Sequence, residues 1–295
     1  MKTNPQRISR RAAAALLAAF LLDAGALALP AAPATADAPA AKESLGVQEI
    51  VARNAQARGG LEAWRALATL GEKGRIEHGQ KKGPKARHGS PAAPRGSLDQ
   101  SLPFTLEIKR PHRMRLELNL GDLTALQVFD GTEGWTVQPS PKGPALRKFS
   151  AAEAQAAAEQ IDPEGPLIDA ERKGTTVSLE GVDEVEGHRA YRLALALKGG
   201  AQRHVWIDSQ TFLDLKIDGN RLIEGRLWPA ETYFYDWKTV GGLKIAHRVE
   251  TAVQDVRSSS RILVDKVLVN APLADERFAL PLAAPARADV AAARP

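Results

Sequence analysis

The chain has no cysteine among its 295 residues. Disulfides, thiolate metal sites, a cysteine nucleophile and a lipid-modified N-terminal cysteine are therefore excluded. Long apolar runs are also missing. The candidate at residues 12–22 is short and is followed by Asp23 and Gly25, so a stable membrane-spanning helix is not expected. There is no Gly-rich phosphate loop, nucleophile elbow or zinc-protease motif. The histidines, His78, His88, His112, His188, His204 and His247, include no pair at metal-ligand spacing. No cofactor and no metal are expected, and no catalytic residue stands out.

The basic excess is confined to two stretches, although the chain carries a net charge of +5. Residues 1–36 hold Lys2, Arg7, Arg10 and Arg11 against Asp23, and residues 80–98 hold Lys81, Lys82, Lys85, Arg87 and Arg95 with no acid. The remainder carries a slight acidic excess, a poor platform for a phosphate backbone, so nucleic acid is not an expected partner. The single Arg58-Gly59-Gly60 reads as a helix end rather than an RNA-binding repeat.

What is present begins with an export signal over residues 1–36. Arg10-Arg11 precedes the apolar run, and Ala34-Thr35-Ala36 offers cleavage after Ala36. General secretion and twin-arginine export both fit. The mature chain is then expected in the periplasm and not as an integral membrane protein. Residues 37–43 read as a linker, 79–98 as a basic mobile hairpin loop and 282–295 as a disordered tail. The basic loop is a solvated face or a docking point for an anionic surface.

The body, residues 44–281, opens with a helix carrying Val47, Ile50, Val51, Asn54 and Ala55 on one face, stopped by Gly59-Gly60. Residues 61–70 read as a second short helix with Trp64 and Leu67. From Phe104 the period becomes two: Leu106 and Ile108 alternate with Glu107 and Lys109, then Met114, Leu116 and Leu118 with Arg113, Arg115 and Glu117. That is the signature of half-buried antiparallel strands. Ser150 with Glu153 forms a capping box for an Ala-rich helix over 150–161, which Pro163 and Gly165 end. Strands resume with Leu193 and Leu195, Leu213 and Leu215, and the aromatic set Tyr233, Tyr235 and Trp237 alternating with Phe234 and Asp236. There is no βα alternation and so no parallel sheet.

An antiparallel sheet with one apolar face must cover it or close on itself. Few helices are available, and alanine covers little area. The sheet is expected to curl round an apolar space that the helices close only partly, a space suited to acyl chains. A filled core that binds nothing fits the same pattern. The expected lining is Leu106, Ile108, Met114, Leu116, Leu118, Trp135, Leu193, Leu195, Leu213, Leu215, Tyr233, Tyr235 and Trp237. Asp208, Asp214, Asp218 and Asp236 could suggest a glycosidase, but alternation places them on outward faces.

Ile108-Lys109-Arg110-Pro111, the strand at 113–118, Val128-Phe129-Asp130-Gly131-Thr132-Glu133-Gly134-Trp135 and the closing Phe278-Ala279-Leu280-Pro281 resemble the LolA-like lipoprotein carriers, over about residues 44–281. The resemblance implies an unclosed antiparallel β-barrel, mainly β with a few helices forming a lid over an apolar cavity. It implies a periplasmic carrier of lipoprotein acyl chains or a related lipid, not an enzyme, with an inner-membrane exporter and an outer-membrane acceptor as partners. It also implies that the region 150–167 is the lid and that Arg110 gates it by hydrogen-bonding lid-helix backbone. A sensor of mislocalised lipoproteins or lipids using the same cavity is the alternative, and a hydrolase would need paired inward carboxylates. The long loop at 79–98 and the tail depart from the family's layout.

Overall fold

The computed structural model describes residues 45–80, 100–140, 143–223, 226–253 and 256–280. The export signal, the linker, residues 81–98 of the basic loop and the tail from 282 lie outside the described residues. Two helices come first, α1 (Val47–Ala57) and α2 (Leu61–Arg65). Six strands follow: β1 (Thr69–Gln80), β2 (Gln100–Lys109), β3 (Arg113–Asn119), β4 (Thr124–Phe129), β5 (Gly134–Gln138) and β6 (Ala145–Lys148). Helix α3 (Ala151–Gln160) interrupts the series. Seven more strands complete it: β7 (Thr176–Val185), β8 (His188–Ala196), β9 (Gln202–Asp208), β10 (Asp214–Ile223), β11 (Arg226–Val240), β12 (Leu243–Val253) and β13 (Val256–Val269). A single 3-10 turn, Asp275–Phe278, ends the described chain.

All 13 strands form one antiparallel sheet in the order β6-β5-β4-β3-β2-β1-β13-β12-β11-β10-β9-β8-β7. It does not close on itself, and matches an open half-barrel. The order has a consequence for the lid. β6 and β7 are consecutive in sequence but occupy opposite edges, so residues 149–175 must cross the sheet to join them. The crossing segment is α3 followed by an irregular strap, residues 161–175, and its apolar side chains Ile161, Leu167 and Ile168 are buried.

Directly opposed residues of neighbouring strands share a face. One row across the sheet reads Leu102, Ile76, Ile262, Val249 and Phe234. The next reads Ser260, Thr251, Thr232, Ile217, Val205, Leu193 and Leu179. This is the inner, helix-covered face. The outer face carries an ionic ladder: the Arg261 guanidinium donates to Glu77 at 3.2 Å and to Glu250 at 2.9 Å, and Lys216 reaches Glu231 at 3.1 Å. Period two thus produces one oily and one charged surface.

Two cores close the two ends of the inner face. On β1–β3, the side chains of Leu116 and Leu118 meet Trp64, Leu67, Ala157, Ile161 and Ile168. On β8 and β9, Leu193, Leu195, Val205 and Ile207 meet Ile50 of α1 and Leu167 of the strap. The capping box of α3 forms as expected, with Ser150 Oγ accepting from Glu153 N. The second helix is shorter than its pattern suggested. It stops at Arg65 because Asn270 Oδ1 accepts the Ala68 and Thr69 N–H groups, at 2.7 and 3.3 Å, and draws the chain into β1.

Candidate lipid-binding face

Between the two cores, the inner face of β10–β13 is only partly covered. Ile217, Thr232, Phe234, Val249 and Ile262 are all half-buried, whereas Leu116, Leu118 and Leu193 are fully buried. Ile262 touches the margin of one core and Ile217 the margin of the other. This leaves a mainly apolar band across four strands, with Phe234 and Trp237 rings 6.1 Å apart at its side. Such a band can take a hydrocarbon chain, at roughly 0.8 kcal/mol for each methylene removed from water.

The strap beside this band is fastened by charge. Arg110 lies where β2 ends in a cis Arg110–Pro111 bond, and its Nη2 is 2.7 Å from the Glu164 carboxylate. Lys173 Nζ donates to both oxygens of Asp162 at 2.7 Å and to the Gly165 carbonyl at 2.8 Å, and stands 3.4 Å from Glu164. Arg58 Nη1 donates to the Glu164 carbonyl at 2.6 Å. Arg65 forks onto Asp169 at 3.0 and 2.7 Å. Burial raises the Glu164 carboxyl, but Lys173 and Arg110 outweigh it and hold the group below the usual carboxylate range. Burial wins at Asp162, which is pushed up to about 6 despite Lys173, with the Glu164 charge adding to the rise.

Arg58 is the hub of these contacts. Its guanidinium carbon lies 4.9 Å from the ring centre of Trp64 and 5.6 Å from that of Trp237. Its Nε is 3.6 Å from Asp214, which also meets Asn54 Nδ2 at 3.4 Å. Its carbonyl accepts from Trp64 Nε1 and Lys244 N. Gly59 makes this docking close: a Cβ there would stand 2.2 Å from the Gly242 carbonyl oxygen. One residue at the end of α1 therefore ties together α2, the strap, β10 and the β11–β12 hairpin. The sequence signals only the helix end, because Arg58's partners are far away along the chain.

The expected lining residues separate into groups. Leu106, Ile108, Met114, Leu116 and Leu118 stand together on the inner face, in or against the core that α2 and α3 cover. Leu193 and Leu195 stand in the core that α1 covers. Trp237 reaches the inner side beside Arg58 and Phe234, where Asp236 takes a left-handed φ of 55° and interrupts the alternation. Trp135 is elsewhere: it opposes Val128, and that face of β4 and β5 is covered by Phe278 of the C-terminal turn. Leu215 and Tyr233 pack with Val185, Ala190 and Trp206 on the outer face. Tyr235 lies under Arg248, 4.1 Å from its guanidinium carbon, and its hydroxyl donates to Glu186. Leu213 precedes β10, and its carbonyl accepts from Asp208 N. Phe234, Val249, Ile217 and Ile262 form the half-buried band in their place. Alternation separates Tyr233 and Tyr235 from Phe234, but it does not say which set faces inward.

Two of the aspartates expected outside are buried. Asp214 turns inward to Asn54 and Arg58, because the register shifts between Asp214 and Lys216. Asp208 accepts from Gln210 N, Thr211 N and Thr211 Oγ1, with His188 Nδ1 at 2.9 Å. Burial raises its carboxyl, and those hydrogen bonds outweigh it, so the group sits below its ordinary range. Arg110 meets a strap carboxylate, not the lid-helix backbone that the resemblance implied. Among the described residues, no group of three or more His, Asp or Glu side chains could hold a metal, and no helix is long and apolar enough to cross a membrane. A cavity of about 40 Å³ lies near the C-terminal segment, lined by Gly71, Lys73, Glu107, Leu268 and Leu273 among others. It has room for a few waters and not for an acyl chain.

No family model matches the chain, and no curated protein matches it. Solved structures do. A DUF1329 family protein from Desulfovibrio piger aligns with a TM-score of 0.52 at 13% identity, over 80% of this chain and 98% of that one. A LolA superfamily protein from Nitrosomonas europaea aligns with a TM-score of 0.51 at 12% identity, over 80% of this chain and 99% of that one. At such low identity the likeness concerns architecture, and with the open sheet and its crossing lid it establishes that this chain has a divergent LolA-like fold.

Proposed function

We propose that the chain is a periplasmic carrier that takes the acyl chains of lipoproteins, or of a related lipid, onto the inner face of its half-barrel. It would receive them at the inner membrane and release them toward the outer membrane. The observation that carries this reading is the half-buried band Ile217, Phe234, Val249 and Ile262 beside a strap that charge pairs fasten. Apolar walls bind hydrocarbon without chemistry. A strap held by ion pairs can let go without breaking the strand ladders beneath it.

In this reading the described arrangement is the closed state. A chain entering along the band displaces the strap and takes over the surface that Ile161, Leu167 and Ile168 cover. Arg110 and Arg58 bias the equilibrium toward closure, so ligand affinity is reduced by the fraction of molecules that are open. Residues 1–36 serve as the export signal.

Native mass spectrometry of the mature protein from periplasmic extract, with solvent extraction of the bound material, tests the reading. Lipid-sized adducts that extract into organic solvent are the expected result. Repeated recovery of bare protein, also after incubation with lipid, would overturn it. A companion variant tests the gate: Arg110→Leu is expected to change the release rate of a fluorescent acyl probe several-fold. An unchanged rate removes Arg110 from that role.

A further inference from the structure

Three neighbouring strands each place a hydroxyl on the inner face beside the half-buried band. Thr232 on β11 opposes Thr251 on β12, and Thr251 opposes Ser260 on β13. Two residues along the same strands stand Phe234, Val249 and Ile262, which oppose one another in turn. Positions two apart on a strand share a face, so the hydroxyl row runs beside the apolar row at about 7 Å. Ile217 opposes Thr232 and carries the hydroxyl row on into the band. Thr232 and Ser260 are half-buried, as Phe234, Val249, Ile262 and Ile217 are, so they belong to the same partly covered surface. From Ser260 across to Leu179 that row holds no acid and no base.

Hydroxyls in an apolar wall are costly unless they are hydrogen-bonded. Thr232 Oγ1 and Thr251 Oγ1 are 3.0 Å apart, and a cross-strand threonine pair is an ordinary sheet contact. That bond uses only one proton, so Thr232 can accept from Thr251 and keep its own proton for a ligand. Ser260 makes no such pair: among the described residues nothing hydrogen-bonds its hydroxyl. We propose that Thr232 and Ser260 are specificity-determining residues of the lipid-binding face, donating to the carbonyl oxygens of ester- or amide-linked acyl chains whose hydrocarbon lies along Phe234, Val249 and Ile262. The two hydroxyls stand two strands apart, about 10 Å, so each receives its own carbonyl. This rests on the carrier reading and adds the ligand's linkage and its orientation. Neutral donors in a row without a cation suit a neutral carbonyl, whereas a carboxylate brings a charge that nothing there offsets.

The test uses the full mature chain, delipidated, at pH 8, with methyl dodecanoate carrying carbon-13 at its carbonyl, 1-bromododecane and dodecanoate. Each displaces a fluorescent acyl probe below its aggregation concentration. Thr232→Val with Ser260→Ala removes both hydroxyls. It is expected to weaken the ester about three- to ten-fold, the scale of one neutral hydrogen bond, and to leave the bromide unchanged. In the wild type the labelled carbonyl stretch is expected below its frequency in alkane, and in the double variant it returns toward the alkane value. Thr232→Ser with Ser260→Thr keeps both hydroxyls and is expected to behave as the wild type. An alkane-like stretch in the wild type, equal losses for ester and bromide, a loss in the hydroxyl-keeping variant, or dodecanoate bound as tightly as the ester would overturn the proposal. If none of the three displaces the probe from the wild-type chain, the carrier reading fails first and this inference with it.

Discussion

Arg58 joins more separate elements than any other side chain described above. It stacks between two tryptophans, feeds the Glu164 carbonyl and faces Asp214. Removing one member of a buried charge pair strands the other, at about 3–5 kcal/mol. Arg58→Met is therefore expected to lose about that much stability in urea denaturation, and a loss below about 1 kcal/mol would show that the hub is dispensable. Glu72 acts in the opposite sense. Its pKa is raised from 4.5 to about 7 by desolvation, and its neighbours Leu70, Gly74, Leu106 and Val267 carry no charge. The folded state thus holds a proton that the unfolded state has released between those values. The contribution is complete below about pH 4.5 and is lost as pH rises through about 7. Compared at pH 5 and pH 8, the wild type is expected to lose up to about 3 kcal/mol more than Glu72→Gln. Parallel pH profiles would contradict that assignment.

At the scale of elements, features with local causes were legible in the sequence. The capping box of α3 lies within four residues, and it forms. Ser150→Ala is expected to cost about 1 kcal/mol and to increase amide exchange in α3. Unchanged exchange would mean that packing alone holds the helix. The alternating strands were equally legible, since period two needs only neighbouring residues. Which face a strand turns inward was not, because that is decided across the sheet. Phe234 lies inside because Val249 and Ile262 do. Trp135 lies on the other face because its neighbour Val128 packs with Phe278, a residue from the end of the chain. The strap was legible only in part, since the expected lid region at 150–167 ends inside it. Residues 161–175 have no period, and their role comes from crossing between two distant edges. Sequence alone suggested that three helices would close the face only partly. With Ile161, Leu167 and Ile168 added by the strap, the cover leaves exposed mainly the band on β10–β13.

The described residues form one sheet of two meanders joined at β1 and β13, with the segment 149–175 laid over the oily face. That topology makes the lid continuous with both sheet edges, so the lid can shift only by repacking along its length. Its polar fastenings at Glu164, Lys173 and Asp169 lie outside the strand ladders. The most direct test asks where a hydrocarbon chain goes. The delipidated chain is incubated with an acyl probe carrying a terminal diazirine, irradiated and digested, and the labelled residues are identified by mass spectrometry. The account predicts saturable labelling centred on Ile217, Phe234, Val249 and Ile262, competed by unlabelled lipid. Labelling confined to the outer face at Tyr233 and Tyr235, or labelling that does not saturate, would contradict it.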